Sequence, residues 1–163
     1  MAVNVSDRTL SKVEAIYQAV KVREALESLS LRSFGVRSRN SILRRKYEQA
    51  IHLEGRQETA DEIIKMVSRT LFNLGSDIER ELCAADAIFP RTKRDFRLRR
   101  EYQNKALSSC KMAKDELNQI ADYFDVDISV FKESVLLLDK EINLIKAWRR
   151  SDNKRFKALQ GIF

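Results

Sequence analysis

From Ala60 to Phe89, apolar residues return at intervals of 4-3-4-3-4-4-3-4: Ala60, Ile64, Val67, Leu71, Leu74, Ile78, Leu82, Ala85 and Phe89. A strand alternates with a period of two and cannot use this rhythm, whereas a helix gathers all of these residues onto one stripe. Near-heptad spacing sustained over this length is how helices lie side by side at shallow angles. The punctuation of the chain agrees. Four Gly and one Pro in 163 residues leave too few turn formers for a sheet built of hairpins.

The rest of the chain extends the pattern. Thr59 can cap the helix just described, with Glu62 three residues on completing a capping box. Gly75 lies inside it, lowers helix propensity and marks a close helix contact. Pro90 ends it, because a residue before proline is pushed out of the helical region. Upstream, Ser6 or Asp7 can open a first helix with Leu10, Val13, Tyr17 and Val20 as its stripe, continued after a shift by Val22, Leu26 and Leu29 to an end near Leu31. Arg32–Asn40 reads as a loop hinged at Gly35, and Ser41–Glu54 as a shorter helix with Leu43, Tyr47, Ala50 and Ile51 inward. Downstream, Thr92 and Asp95 can cap a helix whose stripe is Leu98, Tyr102, Ala106, Cys110, Ala113, Leu117, Ile120 and Phe124. After the acidic link Asp125–Asp127, Asp127 or Ser129 caps a last helix with Phe131, Val135, Leu138, Ile142 and Ile145 inward. Leu137, Leu144 and Trp148 widen that stripe beyond a two-residue seam. A homo-oligomer interface or a broad monomer core would fill the extra width, and the oligomer is the expectation. The predicted architecture is one domain over 1–163: an all-α, antiparallel four-helix bundle with an additional N-terminal helical element, a basic loop 32–40 and a basic tail 149–163.

Little in the chain suggests catalysis. His52 is the single histidine and sits in an HLEG stretch. With Cys83 and Cys110 far apart and each read on an apolar helix face as a buried thiol, neither a zinc set nor a CxxC pair assembles. The scattered glycines form no phosphate-binding loop, and no nucleophile elbow accompanies His52. Glu58, Asp61 and Glu62 suit a helix start, and Asp77, Glu79 and Glu81 with Arg80 suit a solvated face. Asp115 and Glu116 can pair with Lys111 and Lys114, and Asp125 and Asp127 read as caps rather than a metal pair. The expectation is a non-enzyme that needs no cofactor and no metal. No apolar run reaches membrane-spanning length, and MAVNVSDRTLSKVE holds no apolar targeting core, so a cytoplasmic chain with no membrane partner is expected.

The charge of +7 is a mosaic. Arg32–Arg56 and Arg91–Lys105 each hold seven Lys/Arg against two acids, and Lys146–Lys157 holds six against one, so each is +5. The intervals Gln57–Pro90 and Lys111–Ile145 are each −4. Concentrated positive potential is what a polyanion recognises. Cations at the start of a helix oppose its dipole, so their presence after Pro90 favours another use, and guanidinium forks match phosphate oxygens. Links from this start to Glu79, Glu81 or Asp86 are the structural alternative. The candidate nucleic-acid-binding residues are Arg94, Arg97, Arg100, Arg149 and Arg150, with Arg37, Arg39, Arg44 and Arg45 as a flexible addition. In an antiparallel pair, the start of the third long helix and the end of the fourth share one end of the bundle. No RNP motif, GXXG loop or Cys/His finger is present, so binding by backbone charge and shape is expected, without sequence readout. Trp148 reads as a core anchor or as a side chain lying against a neighbouring subunit, and Phe156, Leu159, Ile162 and Phe163 as an apolar end that docks on the body or a partner.

The run AADAIFPRTKRDFRLRREYQNKALSSCKMAKDELNQIADYF followed by ISVFKESVLLLDKEINLIKAWRRS resembles the accessory variability proteins of diversity-generating retroelements, which group with the four-helix-bundle proteins of bacterial 23S rRNA intervening sequences. The likeness lies in the polar link Pro90–Lys93, the basic start Arg94–Arg100 and the ending Ile142, Ile145, Trp148, Arg149 and Arg150, over roughly Thr59–Ser151. The family's first helix would be Ser6–Leu31 or Ser41–Glu54. The resemblance implies a basic pentameric barrel without activity of its own. It implies partners too, a reverse transcriptase and its template RNA or RNA–cDNA, and a role in supporting cDNA synthesis. The alternative is a helical DNA-binding or structural protein of a mobile element, active in plasmid mobilisation or in a phage, with a stand-alone enzyme a distant third.

Overall fold

The computed structural model describes residues 6–35, 56–124 and 126–160. These residues form an all-α fold of four long helices without a sheet: α1 (Ser6–Leu31), α2 (Arg56–Ala87), α3 (Lys93–Tyr123) and α4 (Lys132–Gln160). α1 packs on α2 and α4, and α3 packs on the same two helices. Cross-helix pairs fix the directions. Lys12 meets Asp86 and Arg23 meets Glu79 between α1 and α2, while Arg99 meets Asp152 and Lys114 meets Asp139 between α3 and α4. Both of these pairs are therefore antiparallel, and the short link from Ala87 to Lys93 turns α3 back along α2, which gives an up-down-up-down arrangement. The helix expected over Ser41–Glu54, His52, Asp125, Ile162 and Phe163 lie outside the described residues. α2 already runs from Arg56, so Thr59 lies inside its first turn and does not cap it.

The α2 stripe is buried from Ala60 to Ala85, with Ile64 half-buried. Phe89 departs from it, because α2 ends at Ala87 and the ring, 62% exposed, lies in the link before Pro90. A Cβ added at Gly75 would lie 3.1 Å from the Arg23 Cα, so the α1 and α2 backbones approach closely at this glycine. Glu79 leaves the solvated face expected for it and takes the Arg23 guanidinium at 2.6 Å. Lys114 likewise reaches across to Asp139 rather than along its own helix.

α1 corrects the expected stripe. Val13 and Tyr17 point outward, 61% and 63% exposed, and Leu10 lies outside the described side chains. The inward register is Ala15, Ala19, Val22, Leu26 and Leu29, a strict 4-3-4-3 spacing begun by two alanines. Gln18 is buried beside them and donates to the Leu137 carbonyl at 3.2 Å, which meets its hydrogen-bonding need inside the bundle.

α3 shows the same effect. Leu98 is 41% exposed and Tyr102 half-buried, while Arg99, Gln103, Ala106, Cys110, Ala113, Leu117, Ile120 and Phe124 form the buried register. Cys110 is enclosed, and burial pushes its thiol well above the ordinary range, which leaves it inert. Cys83 is exposed instead of buried.

Phe131, just before α4, and Leu138, Ile142, Ile145 and Trp148 within it are buried as expected, with Val135, Leu137 and Leu144 half-buried against them. Ser134, Glu141 and Asp152 share this inward register. The basic segment from Arg149 is a continuation of α4 as far as Gln160. At the other end of the bundle, Asp127 caps a short turn, Ile128–Phe131, by accepting from the Ser129 amide at 2.9 Å.

Candidate nucleic-acid interface

The interface is built where α3 starts and α4 ends. Pro90 is buried in the link, and Thr92 then opens α3 with a full capping box. The Asp95 amide donates to the Thr92 hydroxyl at 3.2 Å, while the Asp95 carboxylate accepts from the backbone amides of Thr92 and Arg91 at 2.8 and 3.1 Å. Those donors hold Asp95 below the usual carboxylate range. The cap supplies the negative charge that a helix start favours, and so offsets the cations that follow it.

A buried polar network locks the two helix ends together. Arg99, 4% exposed, donates to Asp152 at 3.0 Å and to the Ile88 carbonyl, and its guanidinium lies 5.6 Å from the centre of the Trp148 ring. Gln103 donates to the other Asp152 oxygen at 2.9 Å. Lys12 of α1 approaches the same centre and pairs with Asp86 at the end of α2. One residue from each end thus converges, and the basic surface sits on a fixed base.

The predicted cations divide into two groups above this base. Arg94, Arg97 and Arg150 are exposed and form no ion pair with a described residue. Arg100 is half-buried and donates to the Arg149 carbonyl at 3.0 Å and to Asn153 Oδ1 at 2.6 Å. Arg149 is half-buried, with its Nε enclosed. Arg100 and Arg149 therefore build the α3–α4 junction as well as contributing charge. The links expected from the α3 start to Glu79, Glu81 or Asp86 do not form among the described residues; Lys12, Arg23 and Arg80 take those acids. Arg37, Arg39, Arg44 and Arg45 lie outside the described residues.

Aromatic rings stand between the cations, a feature that charge counting missed. Phe96 and Phe156 meet with ring centres 4.9 Å apart and planes tilted by 57°. They line a cleft of about 180 Å³ with Lys93, Arg97, Arg100 and Asn153. Phe89 carries Arg91 at 5.3 Å and Arg155 at 5.0 Å from its ring centre. The available signal was the placement of Phe96 within RDFRLRR and of Phe156 within KRFK, rings set directly among cations.

Among the described residues, no group of three or more His, Cys, Asp or Glu is placed to hold a metal ion. None of the described helices is long and apolar enough to cross a membrane. Comparisons with family models, curated proteins and solved structures give no match to this chain.

Proposed function

We propose that this chain is a non-catalytic accessory protein that binds nucleic acid, RNA above all, through phosphate contacts at the basic end of its bundle. The observation that carries the reading is the set of exposed arginines, Arg94, Arg97 and Arg150, without carboxylate partners among the described residues, at one end where two +5 stretches meet. A solvated face would spread such cations among acids; here Asp86, Asp95 and Asp152 are taken up by Lys12, the helix cap and Arg99, which leaves the exposed Glu101 as the acid of this stretch without an ion pair among the described residues. A reverse transcriptase as the protein partner, and support of cDNA synthesis as the role, rest on the family resemblance. Homo-oligomerisation, with a pentamer as the resemblance implies, is supported by Val13 and Tyr17, large apolar side chains turned away from the core of α1.

The test is a titration of the purified chain with an unstructured RNA at rising salt. Binding by phosphate contact releases counterions, so log K should fall linearly with log salt, with a slope of about −0.7 for each contact on a single strand. A flat dependence, or no binding at low salt, would remove the proposal.

A further inference from the structure

We infer that the Phe96–Phe156 cleft stacks an unpaired base while its rim of cations holds the flanking phosphates, so that the basic end prefers single-stranded nucleic acid to duplex. This inference rests on the nucleic-acid reading above and adds the class of strand. The cleft has an apolar floor of two half-buried rings and a rim of Lys93, Arg97 and Arg100. Cations alone would serve any polyanion. A duplex keeps its bases stacked inside and offers only phosphates, which leaves the two rings no contact beyond their own packing across α3 and α4. An unpaired base offers a π-face, and stacking on an aromatic side chain between cations is how single strands are held without regard to sequence. Size narrows the ligand. At about 180 Å³ the cleft is smaller than the several hundred Å³ that encloses a drug-sized molecule, so it takes one ring system and leaves sugar and phosphate at the rim. Arg100 is already oriented there by the Arg149 carbonyl and Asn153, so little rotamer freedom is lost when a phosphate arrives. The cations continue past the cleft, and Phe89 between Arg91 and Arg155 adds an exposed ring at the same end. That continuation favours a strand over a free mononucleotide.

The experiment measures binding of the full chain to an unstructured oligonucleotide and to a duplex of equal length at one salt concentration, with AMP as competitor. The native chain should favour the single strand. Phe156→Leu should weaken single-strand binding on the order of tenfold and leave duplex affinity and its salt slope unchanged. Phe156→Trp should retain single-strand affinity, and the added fluorescence should be quenched by the strand but not by the duplex. Equal losses on both ligands, or none, would show that the rings only pack the two helices and would overturn the inference while leaving phosphate binding intact. Competition by AMP at concentrations that match the strand's affinity would overturn the strand assignment in favour of a mononucleotide site. Binding to neither polynucleotide would overturn the inference together with the reading beneath it.

Discussion

Replacing Arg99 by Met should destabilise the fold by about 3–5 kcal/mol, the usual cost of removing one partner of a buried ion pair. The variant keeps the unbranched apolar stem and removes the guanidinium, so part of any loss is packing and the rest is charge and hydrogen bonding. What is lost is the donor to Asp152 at 3.0 Å, the donor to the Ile88 carbonyl and the cation beside Trp148. Asp152, 7% exposed, would keep only Gln103 as a donor. Lys12 and Arg100 also act on Asp152, but Lys12 pairs with Asp86 and Arg100 donates to the Arg149 carbonyl and Asn153, which limits what they can offer. A double-mutant cycle separates charge from packing. Adding Asp152→Asn removes the stranded carboxylate, so the double variant should be less destabilised than the sum of the two singles. Urea denaturation followed by helical circular dichroism gives all four values. Strict additivity would mean that the Arg99–Asp152 pair contributes no coupling and does not lock the basic end.

The second large effect is pH dependence from Glu141. This residue sits on the inward register of α4 with no exposure, and neither carboxylate oxygen has a partner. Burial pushes its carboxyl up to about 8, against which Lys140 on the same helix acts only weakly. Cys110 of α3 faces it, and that thiol is itself held neutral by burial. In the folded chain Glu141 therefore keeps its proton up to about pH 8, whereas in the unfolded chain it loses it near the ordinary 4.5. Between those values the folded state binds more protons than the unfolded state, so stability falls as pH rises through this window. The slope is on the order of 1 kcal/mol per pH unit and levels off above the folded value. Glu141→Leu should remove this slope, fill the site with apolar volume and be more stable than the native chain at pH 8. Denaturation midpoints of both proteins between pH 5 and pH 8.5 check it. Parallel pH profiles would show that Glu141 is ionised in the fold.

The helices were legible because their rhythm is long. α2 follows the spacing read from Ala60 to Ala85, and Trp148 and its α4 neighbours are buried as the pattern indicates. The misplaced stripes of α1 and α3 share one cause. In α1 and α3 the larger apolar side chains, Val13, Tyr17 and Leu98, were favoured over the stricter period. Following the 4-3 spacing of α3 backward from Cys110 passes through Ala106 to Gln103 and Arg99, both buried. These polar side chains occupy core positions because Asp152, on the inward register of α4, satisfies them. Periodicity within one helix cannot show a partner 53 residues away. The site was legible as charge but not as construction. Counting cations found the end where α3 starts and α4 finishes, yet could not separate Arg94, Arg97 and Arg150, which face solvent, from Arg100 and Arg149, which join the helices. Nor could it place Phe96 against Phe156, since that contact depends on the antiparallel docking of two helices.

The most direct test of the account is the salt dependence of RNA binding by a chain carrying Arg94→Gln, Arg97→Gln and Arg150→Gln. These three are chosen because they are exposed, whereas Arg100 and Arg149 also hold the α3–α4 junction. Helical content and denaturation midpoint should stay at native values, because exposed cations add little to stability. Affinity at low salt should drop, and the slope of log K against log salt should become shallower by about 2, three lost contacts on a single strand. A folded variant with native affinity and native slope would contradict the account and make the basic end a solvated face of the bundle.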